Sequence, residues 1–199
     1  MGKLRTASSN LLPFLALSGL VIYFSLASSV FLQEQNIYNI LRQSSVLLIV
    51  AVGATFIILQ GSIDLSMGGI ASLSGVVAAL LLRDMESCVW AVFLALLVGA
   101  LGGCVNGIIF AYGKVPSFLV TLGMMFVLDG MALVVSGGAP VPISHISYLR
   151  LGTGNLVGSI PTIVVWAFLI YALGIILALY TKLGRYVYAI GGNEQIASL

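Results

Sequence analysis

From residue 11 to residue 32 the chain runs 22 residues without a charged side chain. A helix of that length crosses the ~30 Å hydrocarbon core of a bilayer. Comparable runs follow at 43–59, 67–82, 88–113, 117–135 and 161–181, that at 117–135 interrupted only by Asp129. Charged residues are 7% of the 199 positions, whereas a soluble domain carries roughly 25%. With 60% hydrophobic residues and a mean hydropathy of +1.17, the expected fold is all-α: a polytopic transmembrane helix bundle with about six spanning helices. The net charge of +2 gives no reason to expect a nucleic-acid partner.

The first run could also be read as a signal peptide, since Ser25-Leu26-Ala27 resembles a small-residue cleavage site. Signal h-regions are only about 7–15 residues long, which favours a span. Six crossings put Lys3, Arg5, Lys114, Lys182 and Arg185 on one side and Arg42, Arg83 and Arg150 on the other. The Lys/Arg excess marks the cytoplasmic face, so the N-terminus is expected there, with residues 33–42 outside. A re-entrant dip at 60–69 would invert the later spans. Cys88 and Cys104, if on one helix, stand about 24 Å apart, too far for a disulfide. They are expected to be free, buried thiols.

Polarity is concentrated at Gln60-Gly61-Ser62-Ile63-Asp64-Leu65-Ser66-Met67-Gly68-Gly69. Ser and Asp collect at helix N-termini because their oxygens accept orphan backbone N–H bonds, and Gly permits the turn before them. One helix should end near Gln60 and another start just after Asp64. Irregular backbone at membrane depth survives only against protein or a water-filled cavity. The N-terminus of a broken helix also offers partial positive charge to a polar solute. Asp64 and Ser66 are therefore candidates for a solute pathway, although a plain N-cap accounts for them equally well. Asp129 lies within a span, where a carboxylate costs ~2.5–3.5 kcal/mol on insertion scales. It should face the bundle interior or water, either along the pathway or as partner to a polar group such as Asn106. Small residues at four-residue steps (Ala71, Gly75, Ala79, then Gly99, Gly103, Gly107) suggest close helix contacts.

His145 stands alone in the loop 136–160 and has no partners for a metal site. A phosphate loop would need Gly at 108 and Ser or Thr at 115, where the chain has Ile108 and Val115. No cofactor, metal or catalytic residue is expected, and any ATP dependence must come from another subunit. The tail from Lys182 could meet anionic membrane lipid through Lys182 and Arg185. Its two tyrosines, Ile190 and a Gly191-Gly192 turn before Asn193, which suits the N-cap of a short helix, suggest docking on a partner.

Three blocks resemble the ribose-type permeases of bacterial ATP-driven importers, the simple-sugar and autoinducer branch. Gly61-Ser62-Ile63-Asp64-Leu65-Ser66-Met67-Gly68 resembles that family's GGIDLSVG. Pro116-Ser117-Phe118-Leu119-Val120-Thr121-Leu122-Gly123, with Gly137-Gly138 downstream, resembles its PxFIVTLG…RGL…GG. Gly184-Arg185-Tyr186-Val187-Tyr188-Ala189-Ile190-Gly191-Gly192-Asn193-Glu194 resembles its cytoplasmic GRYVYAIGGNE stretch. Ser62 replaces a glycine and Asp129 an arginine, and the chain ends where the family continues into further helices.

The resemblance implies a permease lacking roughly its last third, with a transmembrane domain over 1–181 and a cytoplasmic coupling segment over 182–199. It implies a location in the cytoplasmic (inner) membrane of a bacterium. The implied partners are cytoplasmic ATP-binding subunits, a second permease subunit and an extracytoplasmic solute-binding protein. The work is import of a small polar solute, a simple sugar such as ribose, by alternating access. Asp64, Ser66, Asn106, Thr121 and Asp129 are the expected pathway or its support. Arg185, Tyr188, Gly191, Gly192, Asn193 and Glu194 are expected to couple to the ATPase. A stand-alone channel, an ion-coupled carrier or a non-functional truncated permease are the other readings of these residues.

Overall fold

The computed structural model describes residues 2–85, 87–155 and 160–192, with side chains from residue 11 onward. Among these the structure is helical apart from turns and one isolated bridge between Asn155 and Pro161. Five helices are long and apolar enough to cross a membrane, and Leu11–Ala27 is a shorter apolar stretch, in keeping with about six spans. Two compact units divide the chain, residues 1–44 and 45–199.

In the first unit α1 (Gly2–Ala27) starts earlier and stops sooner than the uncharged run. The chain turns where Ser28 and Ser29 supply hydroxyls that compete with the helical ladder; the Ser28 carbonyl accepts from Phe31 N–H at 3.3 Å. Phe24 and Phe31 stack across this turn at 5.7 Å, and Asn36 Nδ2 donates to the Phe31 carbonyl at 2.8 Å. α2 (Glu34–Leu59) begins nine residues before the apolar run at 43. The polar residues expected as a connection are helical: Glu34 suits the positive end of the helix dipole, and Tyr38 one turn on donates to its carboxylate at 2.7 Å.

In the second unit α3 (Met67–Asp84), α4 (Cys88–Gly113) and α5 (Ser117–Val135) pack together. Leu73, Leu128 and Ala132 are buried between them, flanked by Ile70, Val98 and Met124. Small residues set the approach. A methyl added at Gly69 would stand 2.9 Å from the Met125 carbonyl oxygen, and one at Gly99 3.2 Å from Ser74 Oγ. The close pair on α4 is Gly99 with Gly102, while nothing comes within 4 Å of a methyl at Gly103 or Gly107. The four-residue glycine stripe is therefore in contact at only one of its three positions. On α3, Ala79 is buried but Ala71 and Gly75 are exposed, where they line an apolar groove of about 890 Å³. Gly69→Ala is expected to destabilise the purified protein by about 1–3 kcal/mol through overpacking. Gly68→Ala has open space around it in the same helix and should leave thermal unfolding unchanged or raise it slightly.

α5 ends with Gly137 at φ 67°, where Gly137 N–H bonds to the Val134 carbonyl and Gly138 N–H to Leu133, the paired bonds of a Schellman cap. The loop after it holds a short helix, α6 (Ile146–Gly152), before α7 (Thr162–Tyr180). The polar tail is a helix as well: α8 (Lys182–Gly192) passes through Gly191 and Gly192 without the expected turn. The helix proposed to start after Asn193 lies outside the described residues. Both cysteines are free, and Cys104 is exposed rather than buried.

Candidate functional site

α2 stops at Leu59 because Gly61 takes φ 80°, a conformation that costs other residues steric strain. Gly61 N–H bonds to the Ile58 carbonyl at 2.9 Å and Ser62 N–H to Ile57 at 3.0 Å, again a Schellman cap. The chain then runs without regular structure to Ser66, the N-cap residue of α3. Asp64 Oδ1 accepts the Ser66 backbone N–H at 2.7 Å and its hydroxyl at 2.6 Å, the local bonding that Asp favours in turns. Ser66 does not cap α3 with its side chain, because its oxygen accepts from Asn106 Nδ2 of α4 at 2.7 Å. Ser66 is wholly buried and Asn106 is 6% exposed.

The other side of this segment is held by α5. Ile63 N–H donates to Ser117 Oγ at 3.2 Å. Thr121 Oγ1 donates to the Ser117 carbonyl at 2.9 Å, with the Ile63 carbonyl at 3.3 Å. The break is thus fixed between two spans, with the backbone N–H groups of Gly61, Ser62, Ile63 and Ser66 all bonded to protein acceptors. A cavity of about 220 Å³ opens beside it, lined by Gln60, Ser62, Asp64, Asn106, Ser117 and Thr121 with the Phe110 ring.

Asp64, Ser66, Asn106 and Thr121 therefore converge. Asp129 does not join them. It lies eight residues beyond Thr121 on α5, about 12 Å along the axis, and on an exposed face. Asn106 pairs with Ser66, so the proposed Asp129–Asn106 partnership is not formed. Gln60, Ser62 and Ser117 were missed by sequence reasoning. For Ser117 a signal existed, since it precedes Thr121 by four residues and so shares its helix face.

α8 packs onto the same joint from elsewhere. Gly191 lies directly against the Leu59 carbonyl and beside Gln60, so close that any side chain there would collide with backbone. Gly184 sits equally close to the Leu177 and Ala178 carbonyls at the end of α7. Leu183 and Val187 line a cavity of about 490 Å³ with Phe56, Ile57 and Gln60, and Tyr188 lines a smaller one with Val52 and Tyr171. Arg185 and Tyr186 point outward, and Gly192 has open space about it. Of the expected coupling residues, Asn193 and Glu194 lie outside the described residues.

The model of a family described as "Branched-chain amino acid transport system / permease component" matches residues 36–199. Among curated proteins, the chain is 37% identical to the "Ribose import permease protein RbsC" of Haemophilus influenzae, over 94% of this chain and 58% of the relative. The Escherichia coli K12 protein of the same name is 39% identical, over 93% and 59% of the two chains. The "L-arabinose ABC transporter permease protein AraH" of Azospirillum brasilense is 34% identical, over 90% and 53%. The chain thus spans a little over half the length of the curated relatives it matches. No solved structure matches.

Proposed function

The chain belongs to the family of branched-chain amino acid transport system permease components, and from that premise we propose that it acts as the membrane-spanning permease subunit of an ATP-driven importer. Its solute is a small polar molecule, a simple sugar such as ribose, carried across the cytoplasmic membrane of a bacterium by alternating access. The N-terminus and α8 lie on the cytoplasmic side. Residues 1–181 form the permease proper and 182–199 the segment that receives the ATP-binding subunits. A second permease subunit completes the pathway, and an extracytoplasmic binding protein delivers the solute. The subunit itself performs no chemistry.

What carries this reading is a single stretch of chain. Leu59 and Gln60 meet Gly191 of α8, and a few residues later Asp64 and Ser66 join Asn106. A displacement of α8 therefore reaches the polar cluster through the bend at Gly61. The relatives named for ribose and arabinose transport support a sugar as the cargo.

Two experiments follow. Arg185→Glu with Tyr186→Ala alters only the outward face of α8, and co-purification of the ATP-binding subunit should fall by about fivefold or more, as at an interface hot spot. Unchanged recovery would reject α8 as the docking element. Asp129 carries its charge on a face of α5 that must meet protein or water in the assembled transporter. Asp129→Asn is expected to lower assembly or uptake by about threefold, and wild-type behaviour in both assays would make the charge incidental.

A further inference from the structure

α5 turns one face into the packing with α3 and α4, where Thr121, Leu128 and Ala132 are buried. On its other face Gly123, Phe126, Val127, Gly130, Leu133 and Val134 are all exposed, and open space surrounds both glycines. These positions follow one another at steps of three and four residues, with the two glycines seven apart. Such a repeat is the seam along which one helix packs against another, and in lipid small residues let the two backbones approach closely.

Asp129 borders this seam, about 60° around the helix from Phe126 and about 40° from Leu133, and it is exposed as well. It lies six residues before the nearer end of α5 at Val135, about 9 Å along the axis. Helical side chains tilt toward the N-terminus, here away from that nearer end. The carboxylate is thus held at membrane depth, where a charge requires a partner or water. Lipid tails suit the seam but not the carboxylate. The residues one turn to either side of Asp129 are Met125, Phe126, Ala132 and Leu133, an apolar setting that fits a protein contact better than a water-filled path.

Charged residues flanking a helix seam pair across the interface and choose the partner. We propose that this face of α5 seats a spanning helix from outside residues 1–199 that presents a Lys or Arg to Asp129. A second copy of this chain does not supply one. Of its eight Lys and Arg, only Arg42 lies more than one turn inside a helix long enough to span, and Arg42 already has a partner in its own chain. The two ribose relatives are matched over 58% and 59% of their length, so their remainder has room for further spans. Asp129 replaces an arginine of the family's RGL pattern, so this chain selects a helix of the opposite charge and turns the other away. The proposal needs α5 to cross a bilayer and does not rest on the transport reading.

The test uses model spans: Leu/Ala peptides of about 23 residues carrying a single central Lys, or Glu in its place. Each is mixed with the full chain in phosphatidylcholine vesicles, and association is read by fluorescence energy transfer. The Lys span should bind about fivefold or more tighter than the Glu span, as for a polar contact between membrane helices. Asp129→Asn should remove that preference, and Asp129→Lys should reverse it in favour of the Glu span. A damaged chain would lose binding rather than exchange its preference, so the reversal separates pairing from misfolding. Gly123→Leu with Gly130→Leu fills the seam and should weaken the Lys span by about threefold or more. Equal affinity for the two spans, or a preference that survives Asp129→Asn, overturns the pairing. Binding indifferent to the two leucines places the contact on another face and overturns the seam. Fast labelling of Asp129→Cys by a membrane-impermeant maleimide while the Lys span is bound, in a chain with Cys88→Ser and Cys104→Ser, would assign the position to water instead. None of these readouts involves transport, so the permease reading stands or falls separately.

Discussion

Gly191→Val is expected to reduce ATP-dependent solute uptake by about tenfold or more, the effect of ~1.4 kcal/mol on a rate-limiting step, while Gly192→Ala next to it leaves uptake intact. Gly191 lies against the Leu59 carbonyl at the end of α2. A side chain there has only backbone to displace, so α8 must lift away from the joint it rests on. Overpacking of this kind costs about 1–3 kcal/mol. Gly192 faces open space in the same helix, and replacing a helical glycine by alanine gains about 0.5–1 kcal/mol. Adjacent glycines should therefore respond with opposite sign. Proteolysis of the tail should report the same contrast, with faster cleavage in Gly191→Val alone. Equal uptake in the two variants would mean that contact between α8 and α2 transmits nothing.

Asp64→Ala should destabilise the detergent-purified protein by about 2–4 kcal/mol, since each buried donor left without an acceptor costs about 1–3 kcal/mol. The carboxylate accepts both the backbone N–H and the hydroxyl of Ser66, and Ser66 is entirely enclosed. Without it, the Ser66 hydroxyl must turn elsewhere and Asn106 loses a fixed partner. Asp64→Asn keeps a carbonyl oxygen in place and should cost about half as much. Thermal unfolding of the three proteins side by side reads this directly. A wild-type transition in Asp64→Ala would show that the segment is held only from the α5 side, through Ser117 and Thr121.

The spans were most legible where a polar residue and a chain break coincide. α4 and α5 fall on 88–113 and 117–135 because Ser87, the left-handed Lys114 and Pro116 bound them. Polarity misled where it did not interrupt the helix, as in residues 34–42 of α2 and the whole of α8. Gly191-Gly192 read as a turn because glycine is the usual residue for positive φ. In the folded chain Gly191 serves close approach instead, and no local pattern separates the two uses.

The site was legible one residue at a time. Asp64, Ser66, Asn106 and Thr121 each stood out as polar groups in apolar surroundings, but the bond between Ser66 and Asn106 joins positions 40 apart, and such a pairing is invisible to local periodicity. Asp129 illustrates the same gap. Leu128 and Ala132 turn inward, and helical phase places Asp129 about 100° from Leu128 and about 60° from Ala132, on an exposed face. Its carboxylate is thus directed out of the α3–α4–α5 packing.

The central claim is that these helices move a solute only when α8 is driven from outside the chain. Uptake of radiolabelled ribose into vesicles holding the assembled permease tests it most directly, with the ATP-binding subunits present or left out. Accumulation that requires both those subunits and hydrolysable ATP is the predicted result. Equal uptake in vesicles without them would contradict it.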